Sequence, residues 1–460
     1  MGQAGQGLWL PGRLKEQHLT QRPNIVFIVA DDLGFADLGC YGGREAEFGP
    51  VSPVLDGLAA AGLKFTQGYA NSPVCSPTRF ALMTGRYQYR LRGAAEEPIN
   101  SKSRGSATLG LPPEHPTLPS LLRDAGYRTA LIGKWHLGYP PHFSPIKSGY
   151  QRFFGPMSGG VDYFSHCDSR GTHDLWQGEQ EHREDGYLTD MITDRAVRWL
   201  GEVAGPAGGD QPFFLSLHYT APHWPWETRD DAALAEEVKD NLFHLHGGNI
   251  HRYRKMIHQM DEGIGRVMAA LRQAGVDRDT LVVFTSDNGG ERFSDNWPLV
   301  GGKMDLTEGG IRVPWIAHWP AAIAPGGVSD QQCLTMDWSA TMLAAAGVAA
   351  DADHPLDGVS LLPVLHDPAA TFERAMAWRM NHRGQRALRL GDWKYLQVDG
   401  HEYLFKLPDD ERERANHAKR EPERLAAMRQ AWEDWAATMP PIAADATVSL
   451  GYGVADMPQR

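Results

Sequence analysis

The apolar positions of the chain alternate between short unbroken runs and longer stretches with a helical period. Asn24-Ile-Val-Phe-Ile-Val-Ala30 is continuous and apolar, as expected of a strand buried on both faces of a parallel sheet. Tyr127–Ile132, Pro212–Leu217 and Thr280–Phe284 have the same character, and Val313–Trp319 reads as a further strand. Pro53–Ala61, Thr117–Ala125, Leu188–Leu200 and Ile250–Gln273 read as helices, the last with a clear helical spacing of its apolar residues. Strands alternating with helices predict an α/β domain built on a large mixed, mostly parallel sheet flanked by helices. Tyr150–His166 is rich in glycine and aromatics, has no clean period, and reads as a loop.

Beyond about residue 370 the pattern changes. Ala387–Leu396 and Tyr403–Phe405 read as hairpin strands, Asp409–Arg420 is densely charged, and Glu421–Thr438 has the spacing of an amphipathic helix. The expected organisation is an arm over 1–21, a large α/β domain over 22–370, and a small C-terminal α+β domain over 371–460, an antiparallel sheet plus a helix.

A length of 460 residues suits one large domain and one small one. Hydrophobic residues at 42% and charged residues at 22% describe a soluble globular protein. The 50 glycines and 31 prolines point to many turns and long functional loops. A formal net charge of −12 argues against general binding to nucleic acid or an anionic membrane, and leaves room for a local cationic pocket. No stretch approaches the ~20 apolar residues of a membrane helix. The first 22 residues hold no sustained apolar run and no small-residue cleavage site, so a cytoplasmic setting is expected. Cys40, Cys75, Cys167 and Cys333 lie far apart, which fits free thiols better than a disulfide scaffold or a zinc site.

Four apolar runs lead into polar residues: Asp31-Asp32, Lys134-x-His136, His223 and Asp287-Asn288. Open α/β sheets bind ligands beyond the carboxyl ends of their strands, so these groups predict a single site. Asp31, Asp32, Asp287 and Asn288 form an all-oxygen set suited to a hard divalent cation, and Ca²⁺ tolerates irregular geometry better than Mg²⁺. Lys303 follows two glycines that let the backbone approach a ligand closely. His218 and His223 compete for one role.

Asn71-Ser-Pro-Val-Cys75-Ser76-Pro77-Thr78-Arg79 sets one cysteine at the start of an apolar helical pattern. Proline near the first helical position favours a helix start, where free N–H groups and the positive dipole end attract an anion. Arg79 lies one turn further on and can lean toward the same spot. The Cys75-x-Pro77-x-Arg79 run, continued through Thr84-Gly85-Arg86, resembles the sulfatase family of the alkaline phosphatase superfamily, arylsulfatases included. The resemblance covers the chain from about Asn24 to Thr438. It implies an alkaline phosphatase-like fold, hydrolysis of aryl or carbohydrate sulfate monoesters, and oxidation of Cys75 to formylglycine by a formylglycine-generating enzyme.

The same resemblance implies the roles. Asp31, Asp32, Asp287 and Asn288, with the group made from Cys75, hold Ca²⁺ or sometimes Mg²⁺. Lys134 contacts the sulfate and the formylglycine hydroxyl, and His136 takes the proton whose loss regenerates the aldehyde. The Ala221-Pro222-His223-x-Pro225 context selects His223 over His218. Lys303, followed by Thr307-Glu308-Gly309-Gly310-Ile311-Arg312, binds the sulfate and assists the leaving oxygen together with His223. Asp287 ligates the metal and takes a proton from the attacking hydroxyl, while Arg79, Lys134 and Lys303 spread the charge of the transition state. One hydroxyl of the formylglycine hydrate attacks sulfur, and the other then expels sulfate. Relatives that cleave phosphonate monoesters or phosphodiesters share this nucleophile and metal set, and a binding protein with unmodified Cys75 would keep the fold; both stay open as alternatives. Tyr163, Phe164, His166, Trp224 and Trp226 are the aromatic candidates for a pocket wall that would suit an aryl group or a sugar face.

Overall fold

The computed structural model describes residues 22–91, 99–100, 103–238 and 248–442. The expected arm over 1–21 and the last part of the C-terminal region lie outside them. The strands, in chain order, begin with β1 (Asn24–Ala30), β2 (Leu63–Phe65), β3 (Gly68–Tyr69), β4 (Arg128–Gly133) and β5 (Arg152–Gly155). They continue with β6 (Trp176–Gln177), β7 (Gln180–Glu181), β8 (Phe213–His218), β9 (Thr280–Ser286), β10 (Trp315–His318), β11 (Gly327–Ser329) and β12 (Cys333–Leu334). The chain closes with β13 (Ala375–Met380), β14 (Gln385–Leu390), β15 (Trp393–Val398) and β16 (His401–Lys406).

Ten strands form one mixed sheet in the order β11-β2-β10-β9-β1-β8-β4-β5-β6-β7. Its centre, β9-β1-β8-β4-β5, is parallel throughout, and the antiparallel pairings lie toward the two edges. The unbroken apolar character of β1 follows from its position. Val26, Ile28 and Ala30 enter one core, and Ile25, Phe27 and Val29 enter the other, on the opposite face. Helices 188–203 and 250–273 cover the first face through residues such as Ile192, Trp199, Ile257 and Ile264. Helices 75–84, 118–124 and 335–345 cover the second through Phe80, Leu122 and Trp338.

The register brings the carboxyl ends of the central strands level. Val29 pairs with His218, Ala30 with Ser286, and Gly133 with His218. A methyl on Gly133 would lie 1.8 Å from the His218 carbonyl oxygen, and this residue has φ +116°, so only glycine fits where β4 leaves the sheet.

One stretch departs from the sequence reading. Inside Tyr150–His166, read as loop, β5 pairs parallel with β4 through Ala130↔Arg152 and Ile132↔Phe154. Four residues are too few for a period to show in a glycine- and aromatic-rich stretch.

The strands β13 to β16 form an antiparallel meander whose outer face carries the helix Pro422–Ala436, with Trp432 Nε1 donating to the Trp378 carbonyl at 2.9 Å. Its inner face shares a core with the large domain. Met376, Trp378 and Phe405 pack there with Tyr69, Val74, Ala81, Tyr89 and Met304. Among the described residues, no helix is long and apolar enough to cross a membrane. All four cysteines are free thiols.

Candidate active site

The polar groups stand one to five residues past the strand ends. Asp31 and Asp32 follow β1, Lys134 and His136 follow β4, Asp287 and Asn288 follow β9, and His223 lies five residues beyond β8. Asp32 and His136 both hold a left-handed backbone, at φ 63° and 59°, which side chains other than Gly rarely adopt. Cys75 is the first residue of the helix Cys75–Thr84, and its side chain is only 3% exposed.

The groups converge. Asp31, Cys75 and Asp287 each offer one ligand atom within 4.8 Å of the others, and so do Asp31, Asp32 and His223. Lys134 Nζ donates to Asp31 Oδ2 at 2.5 Å, and Lys303 Nζ donates to Asp32 Oδ2 at 2.7 Å. Arg79 lies in the Cys75 helix, buried along its length. Its Nε and Nη2 both donate to Asp287 Oδ2, at 3.0 and 2.8 Å, and its Nη1 donates to the Lys134 carbonyl at 3.2 Å. Asn288 Nδ2 donates to Asp32 Oδ1 at 2.7 Å, which turns Asn288 Oδ1 the other way.

Their surroundings shift the two aspartates in opposite directions. Burial pushes Asp31 well above the ordinary carboxylate range, and Asp287 adds to the rise against the pull of Lys134 and Arg79. Burial also acts on Asp32, but Lys303 and His223 outweigh it and hold that carboxyl below its usual value. Burial pushes the Cys75 thiol up, and Lys134 and Lys303 offset only part of this.

The residues fit a hard divalent cation. Asp31 Oδ1 and Asn288 Oδ1 are buried acceptors that receive no hydrogen bond. Leaving such groups bare costs about 1–3 kcal/mol each. A cation among Asp31, Asp32, Asp287 and Asn288 would satisfy them with oxygen ligands alone.

The three histidines stand in different surroundings. His136 Nε2 donates to the Ile99 carbonyl at 2.5 Å, so its buried, unpartnered Nδ1 carries the lone pair. His223 Nδ1 donates to the Trp224 carbonyl at 2.6 Å, leaving Nε2 3.5 Å from Asp32 Oδ2. His218 backs Arg79 instead, with Nδ1 3.2 Å from Arg79 Nη1 and 3.3 Å from the Lys134 carbonyl. Burial lowers all three well below the usual imidazole range, helped by Lys134 at His136, Arg79 at His218 and Lys303 at His223. The carbonyl partners fix the tautomer of two of them, leaving the lone pair on His136 Nδ1 and on His223 Nε2.

The aromatics divide. Tyr163 is fully buried and its hydroxyl donates to the His223 carbonyl at 2.9 Å, and His166 is tied to the Gly186 carbonyl; both brace the loops. Trp224 is half-buried with its ring 4.3 Å from that of His223, and Trp226 packs on Phe293. Gly159 supports the site in a way the sequence does not reveal: a methyl there would lie 2.4 Å from His136 Cε1. So does Glu227, which burial and Asp162 push up to about 9, and which accepts from the Tyr163 N–H beneath the same loops.

A family model described as Sulfatase matches residues 23–348. The chain belongs to the sulfatase family. It is 32% identical over 406 residues to arylsulfatase J of Mus musculus, covering 82% of this chain and 64% of that protein. It is 32% identical over 368 residues to N-acetylgalactosamine-6-sulfatase of Canis lupus familiaris, covering 75% and 66%. The chain thus spans just under two thirds of the length of these curated relatives. Among solved structures, the crystal structure of Ps i-CgsB in complex with k-i-k-neocarrahexaose aligns with a TM-score of 0.78 and 30% identity, over 90% of this chain and 93% of that one. In this member of the sulfatase family every candidate site residue lies inside the matched range, whereas the β13–β16 sheet lies beyond it.

Proposed function

We propose that the chain hydrolyses sulfate monoesters, with formylglycine made from Cys75 as nucleophile and Ca²⁺ or Mg²⁺ held by Asp31, Asp32, Asp287 and Asn288. The observation that carries the reading is the position of Cys75: buried at a helix start, one ligand-length from two aspartates, and under the charge of Lys134 and Lys303. Burial keeps this side chain a thiol, and the neighbouring histidines hold no bond to it, so the encoded residue is a poor nucleophile.

Formylglycine supplies a hydrated aldehyde, two hydroxyls on one carbon, one able to attack sulfur and the other able to release the sulfate. A cation held by Asp31, Asp32, Asp287 and Asn288 would supply Lewis-acid charge to the reaction. The remaining work falls to the protein. Lys134 and Lys303 offer ammonium groups to the sulfate, in a buried site where a lower dielectric strengthens their field. Arg79 fixes Asp287 through two bonds to one oxygen, which keeps the other oxygen directed elsewhere. His136 Nδ1 holds the lone pair that receives the hydroxyl proton as sulfate departs. Lys303 Nζ, beside Asp32, carries a proton for the departing alcohol oxygen, and His223 Nε2 stands 3.5 Å from the same carboxylate.

The substrate class is a sulfated carbohydrate, with aryl sulfates as reporters. A relative named for an N-acetylgalactosamine sulfate and a structural neighbour with a bound oligosaccharide support this, as does Trp224 beside His223. A formylglycine-generating enzyme is the partner required for maturation.

Protein co-expressed with that enzyme should cleave a nitrophenyl sulfate and yield a Cys75 peptide lighter by the change from CH₂SH to CHO. Faster cleavage of a nitrophenyl phosphonate ester would reassign the enzyme to phosphonate or phosphodiester hydrolysis. An unmodified Cys75 peptide together with no turnover would make the chain a binding protein.

A further inference from the structure

Lys303 reaches Asp32 from a loop whose backbone is strained. Met304, the next residue, holds φ +79°, a left-handed conformation that costs an ordinary side chain about 1–3 kcal/mol and persists only where its surroundings enforce it. Three contacts enforce it. The Met304 N–H donates to the Pro73 carbonyl at 2.9 Å, two residues before Cys75. The Met304 carbonyl accepts from Gln385 Nε2 at 2.8 Å. Gln385 Oε1 in turn accepts from the Leu306 N–H at 2.9 Å. One side-chain amide thus grips the backbone on both sides of Asp305. Gln385 is 2% exposed and is the first residue of β14, in the small C-terminal sheet. A second tie lies close by, where the Glu308 N–H donates to Glu413 Oε2 at 2.7 Å and Lys394 Nζ bridges Glu308 and Glu413 at 2.9 and 2.8 Å.

We propose that Gln385 is a positioning residue for Lys303: its amide holds the Met304 turn and thereby fixes the lysine between Asp32 and the departing oxygen. This rests on the hydrolase reading above for its catalytic consequence. The small sheet then acts on the site through the backbone of the Lys303 loop. The chemistry is local and simple. An amide both donates and accepts, and the Met304 carbonyl and Leu306 N–H need one of each. An isosteric methionine offers neither and would leave two buried backbone groups bare.

The test pairs kinetics with hydrogen exchange. Gln385→Met should lower kcat on the order of 10- to 100-fold, the scale of a misaligned catalytic group. The loss should be larger for alkyl sulfates than for nitrophenyl sulfate, because a poor leaving group depends most on the lysine. In a Lys303→Ala background the same substitution should change kcat less than about two-fold. An equal loss in both backgrounds would mean general damage and would overturn the proposal. Amide exchange in a 300–310 peptide, which needs no turnover, should quicken in Gln385→Met while the peptide carrying β1 is unchanged. Unaltered exchange at 300–310 would equally overturn it. If Gln385→Met fails to fold, Gln385→Asn, one methylene short, carries the same measurements. A wild-type protein that hydrolyses no sulfate ester would sink the hydrolase reading, while the exchange arm would still decide the clamp.

Discussion

At the scale of the residue, the site depends on few atoms in unusual conformations. The neutral His136 has one nitrogen committed to a carbonyl and the other bare, and Gly159 is the wall that keeps its ring there. Gly159→Ala would press a methyl against that ring. Turnover should fall by on the order of 10²-fold with little change in melting temperature, checked by kcat beside circular dichroism. Cys75→Ala and Cys75→Ser should both abolish turnover in protein that stays folded, since each removes the source of the aldehyde; full activity in Cys75→Ala would end the nucleophile assignment. Asp31, Asp32, Asp287 and Asn288 stood out in the sequence because each pair follows an apolar run read as a buried strand, and Cys75 because of its Cys-x-Pro-x-Arg run. Gly159 and Gln385 did not, because their roles arise from contacts across the fold, 81 residues apart in the case of Gln385 and Met304. The two competing histidines, separated in the sequence only by the resemblance at Ala221-Pro222-His223-x-Pro225, face different groups: Asp32 for His223, Arg79 for His218.

At the scale of the element, β1, β4, β8 and β9 lie side by side with their ends in register, which is why groups more than 250 residues apart meet. Period and length reveal such strands, and they miss short ones. The β5 strand is four residues inside an aperiodic stretch, and β13 precedes the hairpins that the sequence did suggest. The C-terminal elements carry a prediction of their own. Lys394, wholly buried on β15, bridges Glu308 and Glu413, and Glu308 also accepts from the Tyr69 hydroxyl, so Lys394→Met would remove the cation the two acids share and should cost about 3–5 kcal/mol in a urea titration. Burial pushes Glu413 from 4.5 up to about 7, with Lys394 opposing and Glu308 reinforcing. The folded state therefore holds this proton more tightly than the unfolded chain. Its contribution to stability is complete below about pH 4.5 and is lost as pH rises through about 7. Wild type should lose more stability than Glu413→Gln between pH 5 and pH 8, by up to about 3 kcal/mol at 1.36 kcal/mol per pKa unit. Parallel slopes for the two proteins would show that Glu413 does not titrate in this window.

At the scale of the whole molecule, a cation that binds only the folded site would stabilise it by mass action. At about 100 times its Kd, Ca²⁺ should add about 2.7 kcal/mol, seen as a melting temperature that falls with chelator and recovers when the ion is restored. A melting temperature indifferent to chelator would count against a bound cation. The fold class, a large mixed sheet with a smaller antiparallel one, was legible from the order of the elements. The way the two parts share a core was not, because Trp378 and Met376 look like ordinary strand residues until they are seen against Tyr69 and Val74.

That common core bears on how far the chain can be trimmed. Cutting it back to the family-matched residues 23–348 would uncover the oily flank of the helix that starts at Cys75 and free the Ala70 carbonyl from Trp378. Such a fragment should be recovered in inclusion bodies, so a minimal soluble version must keep the meander as well.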